Sequence, residues 1–157
     1  RCEWGSRALG NRWILAKPQI QNIKEILNLK IKKRENFRPF APSVMLEHAN
    51  QWFYDFQEDP FMMTVCKVKE NKIKIIPSVT HVDNTARIQT VSKTNNEKYY
   101  QLIQSFYKKS DCPILLNTSF NENEPIVCSP MDALNTFLKT KIDVLVLENY
   151  IFTRSFK

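Results

Sequence analysis

The run from Lys30 to Pro42 constrains this chain more than any other stretch, because it joins a charged helix end to two prolines. Pro39 and Pro42 fix their own backbone and push the residue before each of them into extended geometry. A helix is therefore expected to end before Arg38, and an extended segment to follow. Fixed cations beside a stiffened backbone are suited to holding an anionic ligand.

A second polar segment follows the apolar run Ile114-Leu115-Leu116. Its residues, Asn117-Thr118-Ser119-Phe120-Asn121, carry short hydroxyl and amide groups at a predicted strand end, where they can hold phosphate oxygens at fixed angles. The chain has only two glycines, Gly5 and Gly10, which excludes a glycine-rich phosphate loop. Any phosphate site has to use side chains and strand-end amides.

Apolar spacing predicts both helices and strands. The helices are one with Pro18 in its first turn and a charged end reaching Arg34, one over 99–107, and one capped by Ser129 that runs to about Lys139. Strands are predicted at 43–46, 86–91, 113–116, 143–148 and 150–153, with a further hairpin formed by 62–69 and 73–76. This mixture predicts an α/β or α+β class.

Length and composition exclude several classes of protein. The 157 residues suit a single domain over 1–157, and no apolar run approaches the roughly 20 residues of a membrane-spanning helix. The start at Arg1 is no signal peptide and suggests a piece of a longer polypeptide. Four scattered cysteines without a CxxC predict free thiols in a reducing cytoplasm, not a disulfide framework or zinc site. A net charge of +7 favours an anionic partner.

Four motifs stand in order along the chain: Glu3-Trp4-Gly5-Ser6-Arg7-Ala8-Leu9-Gly10-Asn11-Arg12; Lys32-Lys33-Arg34-Glu35 with Phe37-Arg38-Pro39-Phe40-Ala41-Pro42; Thr80-His81-Val82-Asp83-Asn84-Thr85-Ala86-Arg87; and Leu116-Asn117-Thr118-Ser119-Phe120-Asn121 with Glu124-Pro125-Ile126. Together they resemble the C-terminal domain of the O-carbamoyltransferases, which include the nodulation-factor and antibiotic carbamoylating enzymes. The likeness covers nearly the whole chain, from Arg1 to about Phe152.

The resemblance implies a fold and an activity. The fold would be a YrdC/Sua5-like twisted mixed sheet with flanking helices and a concave basic surface. The domain would bind ATP and carbamoyl phosphate, with Mg²⁺ arriving on the nucleotide, and form a carbamoyl-adenylate. An N-terminal domain of the sugar-kinase/actin-like class, in the same polypeptide, would pass the carbamoyl group to a hydroxyl acceptor.

The resemblance also implies the site residues. The expected ligands of ATP and carbamoyl phosphate are Arg7, Lys32, Arg38, Arg87, Ser119 and Asn121. Ser119 and Asn121 form a Ser-x-Asn element, and Lys32 and Arg38 form a basic element that stabilises charge in the transition state. No side-chain nucleophile and no protein metal site are implied, because a carbamate oxygen attacks the α-phosphate directly.

Simpler interpretations remain open. Lys30 to Arg34 can be a solvated helix end, Ser119 and Asn121 can be turn formers, and Arg87 can be a surface ion-pair partner. His81 and Asp83 favour a structural hydrogen bond over a catalytic pair.

Two other functions also remain. One is a basic, YrdC-like RNA-binding module, and the other is a non-catalytic domain that needs its partner domain to bind ligand. Nucleic acid is the weaker expectation, because the basic cluster is short, is interrupted by prolines and has no RNP-like or helix-turn-helix signature.

Overall fold

The computed structural model of the protein describes residues 10–154, so Cys2, Trp4 and the predicted ligand Arg7 lie outside the described residues. The strands are β1 (Trp13–Ala16), β2 (Ala41–Met45), β3 (Cys66–Lys67), β4 (Thr85–Ala86), β5 (Gln89–Val91), β6 (Ile114–Ser119), β7 (Val144–Leu147) and β8 (Tyr150–Thr153). The α-helices are α1 (Ile23–Ile26), α2 (Glu70–Ile73), α3 (Glu97–Ser110) and α4 (Pro130–Lys139). A π-helix, Leu27–Ile31, continues α1, and 3-10 helices cover Leu46–Gln51 and Pro77–Val79.

A four-stranded mixed sheet forms the centre of the fold, in the order β1-β6-β2-β5. Strand β6 is antiparallel to both of its neighbours, β1 and β2, whereas β2 is parallel to β5. Together with the helices that flank it, this sheet confirms the predicted α/β class. The specific likeness to the YrdC fold stays a prediction.

Both faces of the central sheet are covered, as alternating side chains on β6 show. Leu115 joins Tyr99 and Ile103 of α3 in one buried cluster. Ile114 and Leu116, which point to the opposite face, belong to a larger cluster. Strand β6 is thus an interior strand whose polar end, from Asn117 onward, is held firmly by apolar packing.

The strongest sequence signals are confirmed. Ser129 accepts a hydrogen bond from the backbone N–H of Asp132, whose carboxylate accepts one from the N–H of Ser129, so α4 begins with a capping box. Helix α3 and the strands β7 and β8 also form where the sequence predicts them, and the two strands pair with each other. Three of the four cysteines, Cys66, Cys112 and Cys128, are free thiols.

The predicted hairpin of 62–69 and 73–76 is wrong. Residues Glu70–Ile73 form helix α2, and β3 pairs instead with β4. The reason lies in the spacing: Ile73 is half-buried and Ile76 fully buried, three residues apart, which is helical spacing, not strand alternation.

Three other features also differ from the predictions. The first helix begins at Ile23, because Pro18 lies in a preceding turn whose carbonyl accepts hydrogen bonds from Ser78. The predicted strand at 86–91 is divided into β4 and β5, which join different sheets. Strand β1, at the sheet edge, was not predicted at all.

Within residues 10–154, no helix combines the length and the apolar content that crossing a membrane would require.

Candidate functional site

A basic cavity of about 380 Å³ opens where the π-helix and the end of β6 meet. We call it the basic cavity; its lining consists of Lys32, Lys33, Arg34, Glu35, Arg38, Ser119, Asn121, Glu122 and Asn123. Four of these side chains are cationic and two are carboxylates. Four of the six predicted ligands, namely Lys32, Arg38, Ser119 and Asn121, therefore come together although two of them lie far from the others in sequence.

The Ser-x-Asn element forms an ordered turn at the end of β6. Phe120 is buried, and its N–H donates to the carbonyl of Arg12, which anchors the turn to the preceding edge of the sheet. The hydroxyl of Ser119 donates to Oδ1 of Asn121 at 2.7 Å, and Nδ2 of Asn121 donates to the carbonyl of Glu124 at 2.6 Å. The two polar side chains are thus fixed relative to each other before any ligand binds.

Lys32 ties the π-helix to this turn. Its Nζ lies 2.5 Å from the carbonyl oxygen and 3.2 Å from Oγ of Ser119, and 2.8 Å from the carbonyl oxygen and 2.7 Å from Oδ1 of Asn121. An ammonium has three N–H groups, so four acceptors occupy all of them. The side chain is only 2 % exposed. Lys32 is therefore a buried clamp on the Ser-x-Asn turn as well as part of the cavity wall.

The surroundings of Lys32 change its protonation. Burial and, to a smaller extent, the nearby Arg34 lower the pKa of Lys32 to about 7, against a smaller opposing effect of Glu124. The ammonium and the neutral amine are consequently both populated near neutral pH.

Arg34 lines the cavity as well, although it is not among the six predicted ligands. Its Nε donates to Oδ1 of Asn28 at 2.7 Å, and its guanidinium lies over the ring of Phe40 at 4.9 Å. Burial, followed by the nearby Arg38, lowers its pKa. The signal that could have indicated Arg34 is its place two residues after Lys32 in the same basic run.

The two remaining cations, Lys33 and Arg38, are exposed, and each forms an ion pair with a carboxylate of the cavity lining. Nζ of Lys33 lies 2.6 Å from a carboxylate oxygen of Glu122, and Nε of Arg38 lies 2.8 Å from one of Glu35. The Lys33 and Arg38 side chains are 60 % and 53 % exposed. The Arg38–Glu35 pair is exposed on both sides and contributes little to stability, so an anionic ligand can exchange for Glu35 at low cost. The Glu122 carboxylate that pairs with Lys33 is only 13 % exposed.

Arg87 does not line the basic cavity. It follows β4 and lies close enough to His81 to help lower the pKa of that imidazole, after burial, which is the main cause. Nδ1 of His81 lies 3.0 Å from Oγ1 of Thr85, which itself donates to Asp83 at 2.7 Å. His81 and Asp83 therefore brace a turn through structural hydrogen bonds, the interpretation that the sequence favoured.

That turn has a left-handed residue, Asn84, with φ of 62°. Asparagine tolerates this conformation better than most residues other than glycine, so the turn forms without glycine.

No group of three or more histidine, cysteine or acidic side chains suited to a metal ion occurs among residues 10–154. The basic cavity is lined by two carboxylates, those of Glu35 and Glu122, which could approach a Mg²⁺ ion carried by a nucleotide.

Comparison with known proteins identifies the family of this chain. The profile of the family described as "Carbamoyltransferase C-terminus" matches residues 1–154. The chain belongs to this carbamoyltransferase family. Nodulation protein NolNO of Sinorhizobium fredii is 51 % identical over 98 % of this chain and 23 % of its own length. The 3'-hydroxymethylcephem-O-carbamoyltransferase of Amycolatopsis lactamdurans is 39 % identical over 78 % of this chain and 23 % of its own length.

A third relative, nodulation protein NolO of Bradyrhizobium diazoefficiens, is 48 % identical over 96 % of the chain and 28 % of its own length. The chain thus spans about a quarter of the length of the curated relatives it matches. This share is consistent with a C-terminal domain of a longer carbamoyltransferase.

Proposed function

We propose that this domain binds ATP and carbamoyl phosphate and forms a carbamoyl-adenylate, whose carbamoyl group then passes to a hydroxyl acceptor in an N-terminal domain of the sugar-kinase/actin-like class. The observation that carries the proposal is the basic cavity, where four cations converge beside the Ser-x-Asn turn. With Lys32 protonated, the ionised groups of the lining sum to two positive charges, which complements a Mg²⁺-bound triphosphate.

The chemistry suits a site without a nucleophilic side chain. Hydrolysis of carbamoyl phosphate releases inorganic phosphate and carbamate. An oxygen of carbamate attacks the α-phosphorus of ATP, the bond from that phosphorus to the bridging oxygen breaks, and pyrophosphate leaves with the electron pair. Catalysis of this step consists of positioning the reactants and neutralising charge.

The lining residues divide these tasks. Arg38 and Arg34 offer planar donor forks that can bind phosphate oxygens bidentately, and Lys33 offers a mobile point charge. Ser119 and Asn121 supply fixed polar groups at the cavity wall, and Lys32 adds positive charge behind them. We assign Mg²⁺ to the nucleotide, since magnesium is usually bound through phosphates and one or two carboxylates.

Arg87 and Arg7 are the two predicted ligands that are not among these four cations. Arg87 lies beside His81 rather than in the cavity lining, and Arg7 lies outside the described residues. We retain both as proposed ligands of carbamoyl phosphate, which needs cations of its own.

Exchange of labelled pyrophosphate into ATP tests the proposal, because reversal of adenylate formation rebuilds ATP from pyrophosphate. We expect exchange that depends on both Mg²⁺ and carbamoyl phosphate. Exchange that proceeds equally without carbamoyl phosphate, or no exchange in a full-length protein that still transfers carbamoyl groups, would contradict it.

A further inference from the structure

Asn28 lies behind the basic cavity and touches the segment that carries its arginines. We propose that Asn28 is a positioning residue, which orients the Arg34 guanidinium and fixes the loop from Lys33 to Arg38 so that both arginines face bound phosphate. This inference rests on the function proposed above.

The amide of Asn28 is fully engaged by that loop. Its Nδ2 donates to the carbonyl oxygens of Asn36 at 3.1 Å and Arg38 at 3.0 Å, while its Oδ1 accepts from Nε of Arg34 at 2.7 Å. Its own carbonyl accepts from the backbone N–H of Arg34 at 3.0 Å. The side chain is 0 % exposed, so water cannot replace these partners.

The local backbone explains how Asn28 reaches the loop. It lies in the π-helix, which ends with the N–H of Lys32 donating to the carbonyl of Leu27 at 2.8 Å. Lys33 then takes a left-handed conformation with φ of 45°, which turns the chain back over the helix. Arg34 follows directly, so its side chain meets the amide of Asn28 from the same helix end.

The contacts leave Arg34 free to act on a ligand. They use its Nε–H and one face of the guanidinium, against Asn28 and Phe40 respectively. Among residues 10–154, its two terminal nitrogens have no hydrogen-bond partner, and their N–H groups belong to a side chain that lines the cavity. A guanidinium held at Nε is pre-organised to bind an oxyanion bidentately.

Only an asparagine-like amide can donate two hydrogen bonds to the carbonyls of Asn36 and Arg38 and also accept one from Arg34. Aspartate has the same shape and still accepts from Arg34, but it cannot donate to the carbonyls of Asn36 and Arg38. Its charge would also compete with phosphate for Arg34. Alanine removes both the acceptor and the donors. The two substitutions therefore probe different parts of one contact set.

The test is calorimetric titration of the chain with ATP and Mg²⁺, for the natural sequence, Asn28→Ala, Arg34→Ala and the double variant. We expect Asn28→Ala to weaken binding about tenfold, as the loss of a hydrogen bond to a charged group suggests. In the Arg34→Ala background the same change should weaken binding by a clearly smaller factor, because the part of its effect that acts through the Arg34 guanidinium is already lost and only the part that acts through Arg38 remains. A purely structural role would weaken binding by similar factors in both backgrounds.

Gln89→Ala is the matched control. Gln89 is also a buried amide, which donates to the carbonyl of Pro60 at 3.1 Å, away from the basic cavity. The Gln89→Ala variant should be less stable to urea than the natural sequence but should bind ATP with the same affinity. If Asn28→Ala fails to fold, Asn28→Asp tests the positioning role instead. We expect this variant to fold and to bind ATP more weakly than the natural sequence.

The outcomes separate this inference from the proposed function. Affinity in Asn28→Ala and Asn28→Asp equal to that of the natural sequence overturns the positioning role alone. Absence of ATP binding by the folded natural sequence overturns the proposed function, and the inference fails with it.

Discussion

Lys32 combines two properties that rarely occur together in a lysine: a side chain 2 % exposed and an ammonium surrounded by four protein oxygens. Burial and, to a smaller extent, Arg34 bring the pKa of Lys32 to about 7, against a smaller opposing effect of Glu124. A lysine of this kind organises the Ser-x-Asn turn at neutral pH and titrates in the same range.

The stability of the protein should carry the signature of this titration. Because the folded-state pKa of Lys32 lies below its ordinary value of 10.5, the unfolded state binds more protons between about pH 7 and 10.5. The free energy of unfolding contributed by Lys32 therefore rises with pH across that window, by at most about 1.4 kcal/mol per pH unit. Urea unfolding of the natural sequence and Lys32→Met from pH 7 to 9.5 measures it. The free energy of unfolding of the natural sequence minus that of Lys32→Met should rise with pH. A value that falls as the pH rises would contradict the depressed pKa.

The Ser-x-Asn turn makes a second prediction. Ser119→Ala and Asn121→Ala should each weaken ATP binding about ten- to a hundredfold, since each removes a polar group that borders the cavity and contacts Lys32. Thr118→Ala is the control, because Thr118 is half-buried like Ser119 but does not line the cavity. Calorimetry gives the affinities. Unchanged affinity in both variants would remove the Ser-x-Asn turn from the site.

The two exposed cations make a third prediction. Arg38→Ala should weaken ATP binding more than Lys33→Ala, although each residue forms one ion pair and both are more than half exposed. The reason is that a guanidinium binds phosphate through two parallel hydrogen bonds, whereas lysine supplies a point charge. Equal losses in a titration at near-physiological salt would mean generic attraction rather than a defined contact.

Residue patterns predicted part of this site. The basic run and the Ser-x-Asn turn converge as expected, because a buried strand and two prolines limit where each can lie. Asn28 and Arg34 were not anticipated, since their contact depends on the π-helix and on the left-handed turn at Lys33. Neither feature has a clear sequence signal.

At the scale of elements, the segments with strong local signals formed where they were predicted. Helix α3 has regular apolar spacing, and α4 has its serine cap and a proline at its start. The edge strand β1 and the short strands β3 and β4 depend on pairing with partners distant in sequence, which local patterns do not report.

Helix α4 offers a prediction that separates folding from binding. Ser129→Ala should lower the free energy of unfolding by about 1 kcal/mol, because the capping box loses its side-chain acceptor. Ser129→Asn, which keeps an acceptor, should restore most of this stability. Urea unfolding measures both variants. ATP affinity should not change, since Ser129 does not line the basic cavity; a parallel loss of affinity would link the cap to the site.

At the scale of the whole molecule, this chain spans about a quarter of the length of the curated relatives it matches. In the proposed scheme, the substrate that carries the acceptor hydroxyl binds to the sugar-kinase/actin-like domain. The chain's net charge of +7 also keeps RNA binding as a testable rival. A steep loss of RNA affinity with added salt, unaffected by Arg38→Ala, would favour that rival.

The most direct test of the central claim is calorimetric titration of this chain with ATP and Mg²⁺, with and without carbamoyl phosphate, at near-physiological salt. We expect saturable binding at one site, with a Kd between about 1 µM and 1 mM, that is clearly weakened in Arg38→Ala. A folded chain that binds no ATP, or binds it equally well in Arg38→Ala, would contradict the assignment of the nucleotide to the basic cavity.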